Sequence, residues 1–190
     1  MTKAALMLGL VLAIPVSAHA QEPNTYRVMA TNRTSTMQKE MQEAGDAGFR
    51  FAAVMGGETA MGGKEVVIVM QRTGPSTAKY EFRLLATNKT STMQKELQQG
   101  ADAGFQYVGQ TVFESTFGGK EVVCILERDL SVASPVEYEY RLFATSKTST
   151  MEKELKEAAD SAYDIVGLTV AKTLVGGNEL VTIARRKRVK

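Results

Sequence analysis

The run Val66-Val67-Ile68-Val69-Met70 decides the fold. It is apolar throughout and mostly β-branched, with none of the polar alternation of a half-exposed strand, so both of its faces should be buried. Such a strand belongs at the centre of a sheet with a neighbour on each side. A Gly-Gly pair, Gly62-Gly63, and Glu65 precede the run; Gly118-Gly119 with Glu121 and Gly176-Gly177 with Glu179 recur further along. Two glycines between apolar runs suit a tight primed turn, where both central residues need positive φ. Val122-Val123-Cys124-Ile125-Leu126 is the corresponding apolar run after the second pair.

The recurrence extends upstream. Thr34-Ser35-Thr36-Met37 returns as Thr90-Ser91-Thr92-Met93 and again as Thr148-Ser149-Thr150-Met151. Three units follow from it, 26–72, 80–128 and 138–186, joined by Pro-containing linkers at 73–79 and 129–137, with an N-terminal extension at 21–25 and a basic tail at 187–190. Each unit opens with a short strand carrying a fixed arginine: Arg27, Arg83 or Arg141. A helix comes next. With Ser35, Ser91 and Ser149 as N-caps, Gln38, Gln94 and Glu152 stand at the N3 position of a capping box. Met37, Met41, Ala44 and Gly48 recur at helical spacing and define the inward face, tapering toward its C-terminal end. Gly48 and Gly104 read as left-handed C-caps, whereas the third unit has Ala162 there. Phe49, Phe105 or Tyr163 then starts a second strand, and the apolar run is the third.

The fold class is therefore α+β: three tandem βαββ units, each a three-stranded antiparallel or mixed sheet with its third strand central and one helix on one face. A unit of this size cannot easily hide the other face of its sheet alone. The expectation is that the three sheets share a core by packing their backs together, giving a pseudo-threefold body.

Each unit resembles a small bacterial βαββ domain family of unknown function, numbered 4177. The matching segments are Lys39-Glu40-Met41 through Ala47-Gly48-Phe49, Lys95-Glu96-Leu97 through Ala103-Gly104-Phe105, and Lys153-Glu154-Leu155 through Ala162-Tyr163, each unit closing on a basic residue, Arg72, Arg128 or Arg186. The family's Trp is Phe or Tyr here, and its Asn is Gln42, Gln98 or Lys156. The resemblance implies a fold and no reaction.

The first twenty residues read as a signal peptide. Lys3 supplies the positive end, Ala4 to Val16 an apolar stretch shorter than the roughly 20 residues of a membrane span, and Ala18-His19-Ala20 a cleavage site. Later apolar runs are short and broken by charge, so no membrane-spanning segment is expected, and the location is periplasmic or secreted. Cleavage after Ala20 removes His19, the only histidine. A chain without histidine holds no Ser-His-Asp or Cys-His triad, no histidine-bound zinc and no histidine-ligated haem. Cys124 is the only cysteine and sits inside an apolar run, where it reads as a small buried hydrophobe. No cofactor, metal site or catalytic residue is expected. With a formal net charge of +2, no nucleic-acid partner is expected either.

Two polar clusters merit a functional reading. Arg33 with Thr34, Ser35 and Thr36, Lys89 with Thr90, Ser91 and Thr92, and Lys147 with Thr148, Ser149 and Thr150 place hydroxyls and a cation at helix starts, the ingredients of an anion site; capping explains the same residues. The C-terminal Arg185, Arg186, Lys187, Arg188 and Lys190 offer contact with an anionic surface. Thr36 with Lys39 has hydroxyl-x-x-Lys spacing but none of the companion motifs of an acyl-enzyme. The recurring acids Asp46, Asp102 and Asp160, Glu40, Glu96 and Glu154, and Glu65, Glu121 and Glu179 read as solvated surface charge. The function expected is a non-catalytic binding or interaction module of the cell envelope. The alternative is a histidine-independent enzyme, or an anion- or carbohydrate-binding protein that uses the helix N-termini.

Overall fold

Apolar periodicity sets each element, and the βαββ order holds three times. The structure is a computed structural model that describes residues 24–59, 63–74, 77–87, 89–114, 120–173 and 177–188; the signal-peptide reading, Gly62, Gly118-Gly119, Gly176 and Lys190 fall outside them. Unit 1 comprises β1 (Asn24–Thr31), α1 (Thr34–Asp46), β2 (Arg50–Thr59) and β3 (Gly63–Thr73). Unit 2 comprises β4 (Tyr80–Thr87), α2 (Thr90–Asp102), β5 (Gln106–Glu114) and β6 (Lys120–Asp129). Unit 3 comprises β7 (Tyr138–Thr145), α3 (Thr148–Asp160), β8 (Asp164–Thr173) and β9 (Gly177–Lys187).

The three sheets are antiparallel and ordered β1-β3-β2, β4-β6-β5 and β7-β9-β8, so the third strand of each unit is central, as its apolar run requires. Residues opposite each other in the ladder share a face. On the front of sheet 1, Val66, Ile68 and Met70 meet Met37, Met41 and Ala44 of α1 in one core. The hairpins differ from a two-residue turn. Pairing closes at Thr59 with Gly63 and at Thr173 with Gly177, leaving three residues in the connection. The second glycine is already a strand residue, at φ 69° and 75°, the left-handed return to the ladder that a three-residue loop needs.

The helices stop as the glycines predict. Gly48 and Gly104 have φ of 83° and 84°. The Phe49 N–H reaches the Ala44 carbonyl at 2.9 Å and the Gly48 N–H that of Gly45 at 3.0 Å, the two bonds of a Schellman ending. Unit 3 keeps the same ending: Ala162 sits at φ 61°, with Tyr163 bonded to Ala158 at 3.0 Å. The stop is thus common to all three units, and Ala162 adopts a backbone conformation that its Cβ disfavours.

The backs of the sheets do not meet, which corrects the pseudo-threefold expectation. The units stack in series, the front of one against the back of the next. Phe82, Val123 and Ile125 on the back of sheet 2 join the core of α1, and Tyr140, Val181 and Ile183 on the back of sheet 3 join Met93 and Leu97 of α2. Each of the first two helices is therefore covered by two sheets, and the shared core is real. The cause lies on the helix. Gly45, beside its inward face, lets α1 approach the next strand so closely that a Cβ there would lie 2.3 Å from the Tyr80 carbonyl oxygen.

Series stacking leaves one end open. In β6, Val122 through Leu126 are all buried, as predicted for a doubly covered strand. In β3, the run expected to be buried on both faces, only Val66, Ile68 and Met70 are; Val67 and Val69 on the back are half-buried, with no other sheet among the described residues packed on that face.

Candidate functional site

The helix starts do not have the predicted caps. Thr34, Thr90 and Thr148 are the first helical residues, and the N-cap residues are Arg33, Lys89 and Lys147 in extended backbone, with no side-chain cap bond. Thr31, Thr87 and Thr145 instead accept the N–H of those cations at 3.2, 3.1 and 3.2 Å. Ser35, Ser91 and Ser149 sit one residue inside each helix. The shallow groove beside Ser35 and Thr36 is lined also by Lys39, Glu40 and Glu43, one cation against two carboxylates.

The expected box residues have a different partner. Gln38 donates to the Phe82 carbonyl at 2.8 Å and accepts the Leu84 N–H at 2.8 Å. Gln42 donates to the Tyr80 carbonyl at 3.2 Å and accepts the Phe82 N–H at 3.1 Å. Two glutamines thus close the outer edge of β4, whose groups would otherwise need water or another strand. Gln94 and Gln98 do the same for β7 through Tyr138, Tyr140 and Leu142. In α3 the equivalents are Glu152 and Lys156, which bind each other at 2.7 Å. A carboxylate only accepts and an ammonium only donates, so this pair cannot repeat the clamp.

A second series runs along the stack. Phe51 on the front of sheet 1 lies over Gly109 on the back of sheet 2, where a Cβ would come within 2.7 Å of the ring. Tyr107 lies over Gly167 in the same way, with its hydroxyl 2.3 Å from the Cβ position. The equivalent of those glycines in unit 1 is Ala53, and of those aromatics in unit 3 is Ile165. Glu127 fastens the first junction, accepting from Arg50 at 2.9 Å and from the Phe51 N–H at 2.8 Å. Burial raises its pKa above the usual glutamate range, opposed by those two donors.

The repeated arginines hold each unit closed. Arg27 and Arg72 both lie 4.8 Å from the centre of the Phe49 ring, Arg83 and Arg128 flank Phe105 at 4.4 and 4.8 Å, and Arg141 and Arg186 flank Tyr163 at 4.9 and 4.7 Å. Arg72, Arg128 and Arg186 also bond the carbonyls of Ala47, Ala103 and Ser161 at the helix ends. Glu81 pairs with Arg128 and Glu139 with Arg186. The hydrogen bond from Tyr163, and then Arg186, lowers the pKa of Glu139. Much of the basic C-terminus is engaged inside the molecule too: Arg185 covers the Tyr138 ring at 4.4 Å, and Arg188 pairs with Asp102 at 3.1 Å. Cys124 is fully buried, and burial pushes its thiol up to about 12, so it is protonated and inert at neutral pH.

What remains open is apolar. Tyr26 is 59% exposed, whereas its equivalents Phe82 and Tyr140 are each 3% exposed under the preceding unit. Val28 (65%) and Met55 (66%) share that uncovered back of sheet 1. At the other end Ile165, Leu168 and Val170 (55–64%) are exposed on the front of β8. Six of the nine exposed large apolar side chains among the described residues therefore mark the two ends of the stack. Sequence reasoning missed these surfaces. The signal was present in the three-way differences: Gln38, Gln94, Glu152; Gln42, Gln98, Lys156; and Ala53, Gly109, Gly167.

The fold defines a class, a tandem α+β repeat. No protein-family model, curated protein or solved structure matches the chain.

Proposed function

We propose that the chain is an exported, non-catalytic interaction module of the cell envelope, and that the uncovered back of sheet 1 is its contact surface. One observation carries the reading: the face that Phe82 and Tyr140 bury in units 2 and 3 is left open around Tyr26, Val28 and Met55 in unit 1. A contiguous apolar face on an otherwise packed protein marks a place where something docks. The repeated side chains support it, since the arginines close each unit on itself and the glutamine pairs of α1 and α2 hold neighbouring units together. Export rests on Lys3, the apolar stretch 4–16 and Ala18-His19-Ala20.

Site-specific photo-crosslinking in intact cells tests the reading. A photoreactive residue at Val28 should trap a protein adduct under native expression, while one at Lys153, on the outer side of α3, should trap none. Equal trapping at the two positions, or none at Val28, would overturn it.

A further inference from the structure

We propose that the occupant of that surface is a second copy of the chain, stacked head to tail, with the front of sheet 3 in one copy against the back of sheet 1 in the next. The inference rests on the interaction-module reading and names the partner. The chain already makes this contact twice. At the first junction the front of β2 meets the back of β5: Phe51 lies over Gly109, and a Cβ on Gly56 would lie 2.8 Å from the Val112 carbonyl oxygen and 3.1 Å from the Thr111 hydroxyl. At the second, Tyr107 on β5 lies over Gly167 on β8. The uncovered surfaces are the two halves of a third junction. Ile165, Leu168 and Val170 occupy the donating face of β8, and Tyr26, Val28 and Met55 the receiving face of sheet 1. One contact covers all six. A twofold, back-to-back pairing of sheet 1 would cover three of them and leave β8 open.

The third junction is a weaker version of the other two. Leu84 and Tyr80, which the glutamines hold at the first junction, correspond to Val28 and Asn24. Glu152 of one copy can accept the Val28 N–H of the next, and Lys156 can donate to its Asn24 carbonyl, half of the bonds a glutamine pair makes. Ala53 then faces the branched Ile165 where the internal junctions pair a glycine with an aromatic ring. The contact is heterologous, so each copy keeps one free end and association continues into short chains or a ring. Its strength rises with protein concentration.

Sedimentation velocity on the chain beginning at Gln21 tests this over a concentration series. The mass average should rise with concentration. Val28→Lys and Leu168→Lys should each sediment as monomers with unchanged circular dichroism, since both side chains face outward; Met55→Lys and Val170→Lys serve as replacements for any variant that fails to fold. Mixing the Val28→Lys and Leu168→Lys proteins should restore a species of twice the monomer mass, because each retains the end the other has lost. A mixture that stays monomeric overturns the proposal. So does dimerisation that Val28→Lys abolishes and Leu168→Lys leaves untouched, the signature of back-to-back pairing. If the purified chain stays monomeric while a probe at Val28 traps a different protein in cells, the second-copy proposal fails and the interaction-module reading stands; if that probe traps nothing, both fail.

Discussion

The amide of Gln38 completes the edge of a strand forty-six residues away, its Oε1 accepting the N–H of Leu84 at 2.8 Å. The same side chain donates to Phe82, so one glutamine replaces a rung of a missing neighbouring strand. Gln94 does this for Tyr140 and Leu142, and Glu152, at the end of the series, does not.

Replacing Gln94 by Leu leaves the Leu142 N–H and Tyr140 carbonyl without partners in a half-buried seam. We expect a loss of about 1–3 kcal/mol in urea unfolding, and the same for Gln38→Leu. Glu152→Leu removes only an exposed surface pair and should change stability by no more than about 0.5 kcal/mol. Equal losses at the three positions would contradict the clamp.

The stacking of Phe51 on Gly109 and of Tyr107 on Gly167 makes a second graded series. Gly109→Ala and Gly167→Ala insert a methyl group where a ring already lies. Each should cost about 1–3 kcal/mol by overpacking. Ala53→Gly, at the open face, should stay within about 1 kcal/mol, the helix- and strand-independent cost of backbone freedom. Thermal unfolding of the three variants checks the order.

Glu127 and Glu139 should titrate on opposite sides of the usual glutamate value, 4.5. Burial holds the proton on Glu127 in the folded state more tightly than in the unfolded chain. Its contribution to stability is therefore largest below 4.5 and is lost as pH rises toward the raised folded value, with no further change above it. Glu139 runs the other way: its contribution is present above 4.5 and lost as pH falls through the lowered folded value. Carboxyl carbon shifts followed by NMR through the acid range resolve both. Glu127→Gln, which keeps an acceptor for the Phe51 N–H, should remove the first slope; an unchanged slope would show that Glu127 is not its source.

Ala162 offers a stabilising change. It holds a left-handed conformation at φ 61° where Gly48 and Gly104 stand in the other units. Ala162→Gly should raise stability by about 1 kcal/mol, since relief of the Cβ clash exceeds the added freedom of the unfolded chain. Gly48→Ala should lower it by a similar amount. Denaturant midpoints with an unchanged m value are the measurement.

Much of the unit was legible because its signals are local. Val66 through Met70 placed the third strand at the sheet centre, and Met37, Met41 and Ala44 gave the buried face of the helix. The glycines at 48 and 104 marked its end. What the sequence hid was the identity of long-range partners. Gln38 and Gln94 fit a capping box, and nothing in local spacing distinguishes an amide that turns back on its own helix from one that reaches the next unit. The packing order was hidden for the same reason: an apolar second face asks for cover without saying whether a back or a helix supplies it. The comparison that resolves both is between units, where glutamine, glycine and the aromatic residue change only at the ends of the stack.

Amide hydrogen exchange along the three first strands tests the open stack most directly. Measured on the Leu168→Lys chain, so that no second copy covers β1, the N–H groups of Phe82, Leu84, Tyr140 and Leu142 should be strongly protected by their glutamines, and those of Tyr26 and Val28 should exchange rapidly. Equal protection of Tyr26 and Val28 would mean that unit 3 closes back on unit 1, and would contradict the account.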